Sequence, residues 1–180
     1  HGNVCYSPIR GKHPRLADGI RTFTKFIAGN NFEAMAMGKK YFESCGLDVY
    51  GCPEMRDLEF SKLMSNIRYG MEIAFMQEAE RIAVNLGVNV STFQDFERSY
   101  NSGYDRLGEP EMKRPILYGG IIGGHCLIQN SDIISQQYKS EMLDWLRKSN
   151  EARRNWDPAV PAPEKPEEEK FDKRFEVTED

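Results

Sequence analysis

The side chain best placed for chemistry is Cys126. It follows Tyr118-Gly119-Gly120-Ile121-Ile122-Gly123-Gly124-His125 and precedes a segment read as a helix beginning near residues 130–132. A sulfur close to a helix N-terminus lies where backbone amides favour the thiolate, so Cys126 can serve as a nucleophile. The competing reading is an inert thiol packed among apolar neighbours, the commonest fate of a free cysteine. Four glycines in six residues point to tight backbone approach or positive φ, because flexible linkers are seldom interrupted by Ile-Ile. A polar pair, Lys62 and Asn66, is spaced by one turn on another predicted helix, with Gly70 a turn further on leaving that face open to an approaching group. The plain alternative is a solvated lysine beside a surface asparagine.

The helix that carries Lys62 and Asn66 organises the chain. Over residues 54–87, Phe60, Leu63, Met64, Ile67, Met71, Ala74, Phe75 and Ile82 recur at steps of three and four, and residues 71–76 are apolar nearly all round. Such a helix is roughly 50 Å long. It is expected to be buried at its middle and to pair with its mate in a two-fold homodimer, since its apolar centre exceeds what its own chain can cover. Upstream, residues 3–6, 22–28 and 47–50 read as strands, Asn31 caps a helix through Glu43 that Gly46 stops, and the basic residues 9–15 read as a loop. Strand, helix and strand in this order suggest part of a parallel sheet with helices on its faces.

Downstream, Ser91 to Gln94 reads as a capping box for a helix over Phe93, Phe96 and Tyr100 that ends at Asn101-Ser102-Gly103. Residues 104–115 read as irregular. One last helix, residues 131–150, carries Ile134, Tyr138, Met142, Trp145 and Leu146 on one side and ends in the basic cluster Arg147, Lys148, Arg153 and Arg154. From Asp157 the composition turns to Pro, Glu and Lys, an extended solvated tail.

At 180 residues, 39% hydrophobic and a net charge of -4, the chain can bury a core, and its acidic balance without a basic stripe argues against a nucleic-acid partner. No apolar run approaches the ~18 residues of a membrane helix, and no signal peptide is recognisable. Cys5, Cys45, Cys52 and Cys126 form no CxxC pair and no metal-ligand spacing with the three histidines, which fits reduced thiols in a cytoplasm. No Gly-rich turn joins a first strand to a helix, so the sequence has no dinucleotide fingerprint.

Lys62-x-x-x-Asn66, Phe75-x-x-Glu78, Arg106-Leu107-Gly108 and Gly123-Gly124-His125-Cys126 together resemble, in order and spacing, the nucleotide-sugar dehydrogenases of the UDP-glucose and GDP-mannose type, over about residues 4–132. The resemblance implies an α/β fold, mostly α. A remnant of a Rossmann-type parallel sheet is followed by a long-helix domain like the C-terminal domain of 6-phosphogluconate dehydrogenase. Residues 1–53 are then the incomplete end of a nucleotide-binding domain, 54–150 a helical dimerisation and catalytic domain, and 151–180 a disordered charged tail. The resemblance also implies NAD, a nucleotide-sugar substrate, a cytoplasmic homodimer through residues 54–87, and no metal, nucleic acid or membrane. Cys126 would correspond to the thiol that captures the aldehyde intermediate as the sugar alcohol is oxidised twice. Lys62 and Asn66 would correspond to the groups that stabilise the oxyanion and hold the water, and Arg106 to an arginine reaching across the dimer to the sugar nucleotide. Gly123 and Gly124 would let backbone approach the substrate, and Ser7-Pro8 would correspond to the loop closing the cofactor domain.

Departures from the pattern matter as much. Ile9 stands where the family has a glutamate, and Gln129-Asn130 stands in place of Lys-Asp. The Asn130 amide cannot accept a proton as a carboxylate can, so two acid–base positions are absent, with His13, Asp132 and His125 as nearby substitutes. Gly-Pro-Gly-Phe has become Gly119-Gly120-Ile121-Ile122. Three readings follow. The first is a divergent NAD-dependent nucleotide-sugar dehydrogenase, or a middle piece of one, with weak or no NAD affinity of its own. The second is a β-hydroxyacid dehydrogenase-like two-electron oxidoreductase that shares the Lys-x-x-x-Asn helix without needing the cysteine. The third is a non-catalytic dimerisation module.

Overall fold

A computed structural model describes residues 2–11, 14–123 and 126–156. They divide into two compact units, one up to Ile67 and one from Arg68, the division falling inside the long helix.

The first unit holds a three-stranded sheet in the order β1 (Cys5–Tyr6), β2 (Lys25–Gly29), β3 (Val49–Gly51). Strands β2 and β3 are parallel, with Lys25 opposite Val49 and Ile27 opposite Gly51, as the strand-helix-strand order requires. The connecting helix α2 (Phe32–Ser44) starts where expected, because the Asn31 side chain accepts the Ala34 N–H at 2.7 Å. Its last turn closes through Gly46, at φ +76°, whose N–H reaches Glu43 C=O at 2.9 Å. Ile27, Ala28, Ala34, Val49 and Leu58 form the core of this unit.

One expectation for the first unit is corrected, and β1 adds an antiparallel edge to the sheet. Strand β1 runs antiparallel to β2, pairing Cys5 with Gly29, so the sheet is mixed. Asn30 fixes that edge: its N–H bonds to Val4 C=O at 2.9 Å and its Oδ1 takes the Val4 N–H at 3.0 Å. Residues 22–24 are not strand; a short helix α1 (Leu16–Thr22) precedes β2, with Arg15 paired to Asp18 at 2.8 Å across its first turn. The chain turns extended only at Phe23.

Helix α3 (Met55–Leu86) is the long helix read from the sequence. Its second half belongs to the second unit, with α4 (Val90–Leu107), a 3-10 turn (Pro110–Met112), α5 (Leu127–Gln137) and α6 (Glu141–Arg154). The core of this unit comprises Ala74, Met76, Ala83, Ile122, Leu143 and Leu146. The apolar face differs from the expected one, for Phe60, Phe75 and Ile82 are exposed.

Helix α4 is capped by Asn89, whose side chain accepts the Ser91 N–H at 2.9 Å, and not by Ser91. It continues through Gly103 to Gly108, which ends it in the left-handed conformation at φ +74°. Tertiary contacts override the Asn-Ser-Gly stop: Asn101 hydrogen-bonds both the N–H and the C=O of Arg114, and the Arg114 guanidinium lies 3.9 Å over the Tyr100 ring. The single last helix is in fact two, α5 starting at Leu127 and α6 after an extended break at Tyr138 to Ser140. The acidic, proline-rich residues 157–180 lie outside the described residues. No described helix is long and apolar enough to cross a membrane.

Candidate functional site

On α3 the buried positions Gly70, Ala74, Gln77 and Glu80 follow one another at steps of three and four. On α6 the same phase runs Leu143, Leu146, Ser149, Asn150 and Arg153. Both stripes start apolar and turn polar toward their C-terminal ends. A helix buries whatever its phase turns inward, and buried polar groups must then find partners. They find them in each other and in the glycine-rich segment.

Ser149 Oγ donates to Gln77 Oε1 at 2.8 Å and accepts from Arg81 Nη2 at 2.8 Å; Arg81 also pairs with Glu78. Gln77 Nε2 donates to the Gly120 C=O at 2.8 Å. Asn150 Oδ1 accepts the Ile122 N–H at 2.8 Å and its Nδ2 donates to the Ile122 C=O at 3.2 Å. Glu80 Oε1 accepts the Gly119 N–H at 3.1 Å, and Glu80 Oε2 sits 2.7 Å from the Arg153 guanidinium. Arg153 is therefore a buried partner of Glu80 and not one of a solvated basic cluster. Arg147 likewise is engaged, bonding Ser135 Oγ at 2.8 Å and pairing with Asp132 and Asp144.

Gly119 shows why the segment needs glycine. A Cβ there would lie 2.7 Å from the Glu80 carboxylate, inside contact distance. The described glycines of the run, Gly119, Gly120 and Gly123, have no positive φ, so close approach decides the residue type at Gly119.

Cys126 is exposed and is the N-cap of α5, its C=O accepting the Asn130 N–H at 3.1 Å. The helix N-terminus thus begins at the cysteine itself, a turn earlier than expected. Leu127, the next residue, packs with Leu146 around Gly70, within 3.9 Å of where a Gly70 Cβ would be. Asn130 lies on the buried side of α5 at 3% exposure. Gly123 is exposed; Gly124, like His1, His13 and His125, lies outside the described residues. Arg106 is exposed in the last turn of α4.

The remaining expected residues lie in the first unit. Lys62 and Asn66 are half-buried one turn apart on α3. Ser7 Oγ donates to the Phe26 C=O at 2.6 Å, and Lys25 Nζ donates to the Pro8 C=O at 3.3 Å, so the Ser-Pro turn is tied to the edge of β2. Burial holds the Lys25 ammonium below the usual lysine range. Ile9 is exposed. The β2–α2 turn does not fit a dinucleotide: Asn31 already takes the Ala34 N–H, and Gly29 packs so tightly on α2 that a Cβ would lie 2.4 Å from Met35 N. Among the described residues no cluster of three or more His, Cys, Asp or Glu could hold a metal ion.

Gln77, Glu80, Ser149 and Asn150 are not singled out by the sequence, and Arg153 is read there only as part of a basic helix end. Their signal is a polar residue in an apolar phase, which periodicity alone cannot distinguish from a helix rotating its face.

Parallel strands with a crossover helix, followed by a long helix and a helical unit, make a mostly helical fold like that of solved dehydrogenases. One is a UDP-D-ManNAc dehydrogenase from Pyrococcus horikoshii, with TM-score 0.69 and 21% identity, matched over 85% of this chain and 35% of that one. Another is a UDP-N-acetyl-mannosamine dehydrogenase from S. aureus, with TM-score 0.61 and 19% identity over the same shares. The chain thus spans about a third of the length of these neighbours. No family description and no characterised protein sequence matches it.

Proposed function

We propose that the chain is a divergent nucleotide-sugar dehydrogenase, or the thiol-bearing part of one, in which Cys126 captures the aldehyde formed from a sugar alcohol. The observation that carries this reading is the setting of Cys126: an exposed cysteine at the N-cap of α5, after a glycine-rich segment gripped by buried side chains. The thiolate attacks the carbonyl carbon, the C=O π electrons move to oxygen, and that oxyanion is the charge Lys62 and Asn66 serve under the resemblance. Leu127, the residue after the thiol, packs at Gly70 within the second unit. NAD is the hydride acceptor that the resemblance implies. Among the described residues the β2–α2 turn does not form its cradle.

The same reading assigns a second copy of the chain to the apolar side of the second unit. Ile82, Leu86 and Phe96 are 50%, 69% and 70% exposed. The same unit has a groove of about 380 Å³ whose apolar lining includes Met71, Phe75, Phe93 and Leu117, with Arg68 and Glu97 also lining it. Exposed apolar area of this kind on a helix pair suits a two-fold interface.

A second reading, a non-catalytic dimerisation module, is favoured by Ile9 and Asn130, where carboxylates of the family pattern are missing and Asn130 is buried. Iodoacetamide labelling at pH 7, followed at each cysteine by mass spectrometry, separates the two. The enzyme reading expects Cys126 to label about tenfold faster than exposed Cys45, and Lys62→Met to abolish the difference. Equal labelling of Cys126 and Cys45 in the folded protein, indifferent to Lys62, leaves the assembly module.

A further inference from the structure

We propose that Glu80 and Asn150 are positioning residues that grip the backbone of the segment leading to Cys126 at two points. Glu80 holds the Gly119 N–H while Arg153 holds Glu80. Three residues on, Asn150 brackets both polar groups of Ile122, and between them Gln77 takes the Gly120 C=O. Glu80, Gln77 and Asn150 are at most 3% exposed, and Arg153 is 9% exposed.

Stability alone does not account for this arrangement. An interior ion pair with surrounding amides stabilises a fold little better than apolar side chains of equal volume, because desolvation offsets the attraction. What apolar side chains cannot do is fix the direction of N–H and C=O groups. Glycine has no side chain to pack, so at Gly119 and Gly120 only the backbone polar groups can be held, whereas Ile122 is held both by its buried side chain and by its backbone. Cys126 comes four residues after Ile122, and its own C=O is fixed by the Asn130 N–H of α5. The thiol therefore lies between two anchors, one made by Asn150 and Glu80, the other by the start of a helix. The inference rests on the proposed function only in taking Cys126 as the group positioned.

Two double variants remove the ion pair without stranding a buried charge. Glu80→Gln/Arg153→Met keeps an acceptor for the Gly119 N–H, and Glu80→Leu/Arg153→Met does not. Asn150→Ala removes the second grip. Three quantities are measured: hydrogen exchange at the single amides of Gly119 and Ile122, the Cys126 to Cys45 alkylation ratio, and thermal unfolding.

The Gln pair should keep wild-type exchange and labelling. In the Leu pair, at an unfolding temperature close to that of the Gln pair, Gly119 should exchange about tenfold faster, and Ile122 should do so in Asn150→Ala. In both, the labelling ratio should move about threefold or more from wild type. Unchanged exchange overturns the grip. Faster exchange with an unchanged labelling ratio reduces the network to a structural role and overturns positioning. Should the Leu pair fail to fold, Asn150→Ala carries both readouts. Wild-type labelling of Cys126 no faster than Cys45 would overturn the proposed function alone, since the change between variant and wild type is still read.

Discussion

From Arg68 onward, α3 has two sides whose chemistry is reversed from the usual order. The side packed on α6 carries Gln77 and Glu80, at 0% and 3% exposure, while Phe75 and Ile82 point outward at 56% and 50%. Burying a carboxylate costs several kcal/mol unless it is paired, and Glu80 is paired with Arg153 at 2.7 Å and with a backbone N–H. Leaving apolar side chains in water forgoes burial at about 25 cal/mol per Å². Neither side is arranged for the greatest stability of a lone chain. The polar interior constrains a backbone, and the apolar exterior is available to a partner, so each side is explained by something other than its own packing.

The largest effect that can break this comparison is on the polar side. Arg153→Met leaves the Glu80 carboxylate buried without its cation, and about 3–5 kcal/mol of unfolding free energy should be lost. Urea unfolding monitored by circular dichroism measures it, and adding Glu80→Gln should restore most of the loss. A loss below about 1 kcal/mol would show that water reaches Glu80.

On the apolar side, Phe75→Glu/Ile82→Glu should leave the helical content unchanged and weaken self-association by about 2–3 kcal/mol, roughly 100-fold in dissociation constant. Light scattering across a dilution series reads this. A wild-type chain that is monomeric at every concentration would remove the partner from the account of the exposed face.

Smaller again is Gly119→Ala. Its Cβ meets the Glu80 carboxylate at 2.7 Å, so the segment or the glutamate must shift, at about 1–3 kcal/mol. Gly120→Ala, with open space around its Cβ position, should cost clearly less in the same unfolding experiment. Equal costs would mean that the Glu80 contact is not tight.

The smallest effect lies in the first unit and calibrates the labelling experiments. Burial, then the Asp57 carboxylate, pushes the Cys52 thiol above the usual range, so Cys52 should label more slowly than Cys45 at pH 8 and gain speed in Asp57→Asn. Because the folded thiol is the weaker acid, its contribution to stability is complete at neutral pH and falls only as pH rises past the ordinary thiol value.

Much of the fold was legible because its causes are local. Residues 54–87 repeat an apolar phase over many turns, and α3 covers Met55–Leu86. Asn31 before an amphipathic run caps α2, and strand-helix-strand order makes β2 and β3 parallel. That Cys126 stands just before a helix was legible too, since it is the N-cap of α5 and exposed. The break at Tyr138 to Ser140 was not, for no Pro or Gly marks it. It lets Arg147 of α6 turn back to Ser135 of α5 at 2.8 Å and brings Asn150 onto Ile122, contacts between residues distant in sequence.

By itself, then, the sequence determined where α2 and α3 run and which glycine-rich segment leads to a thiol, because hydrogen bonding within a helix and the chemistry of a side chain depend on near neighbours. Only the tertiary structure decided that Gln77, Glu80, Asn150 and Arg153 are interior. A polar residue in an apolar phase is tolerable only when its partners arrive from elsewhere in the chain. Here the partners of Glu80 are the Gly119 N–H, 39 positions away, and the Arg153 guanidinium of α6.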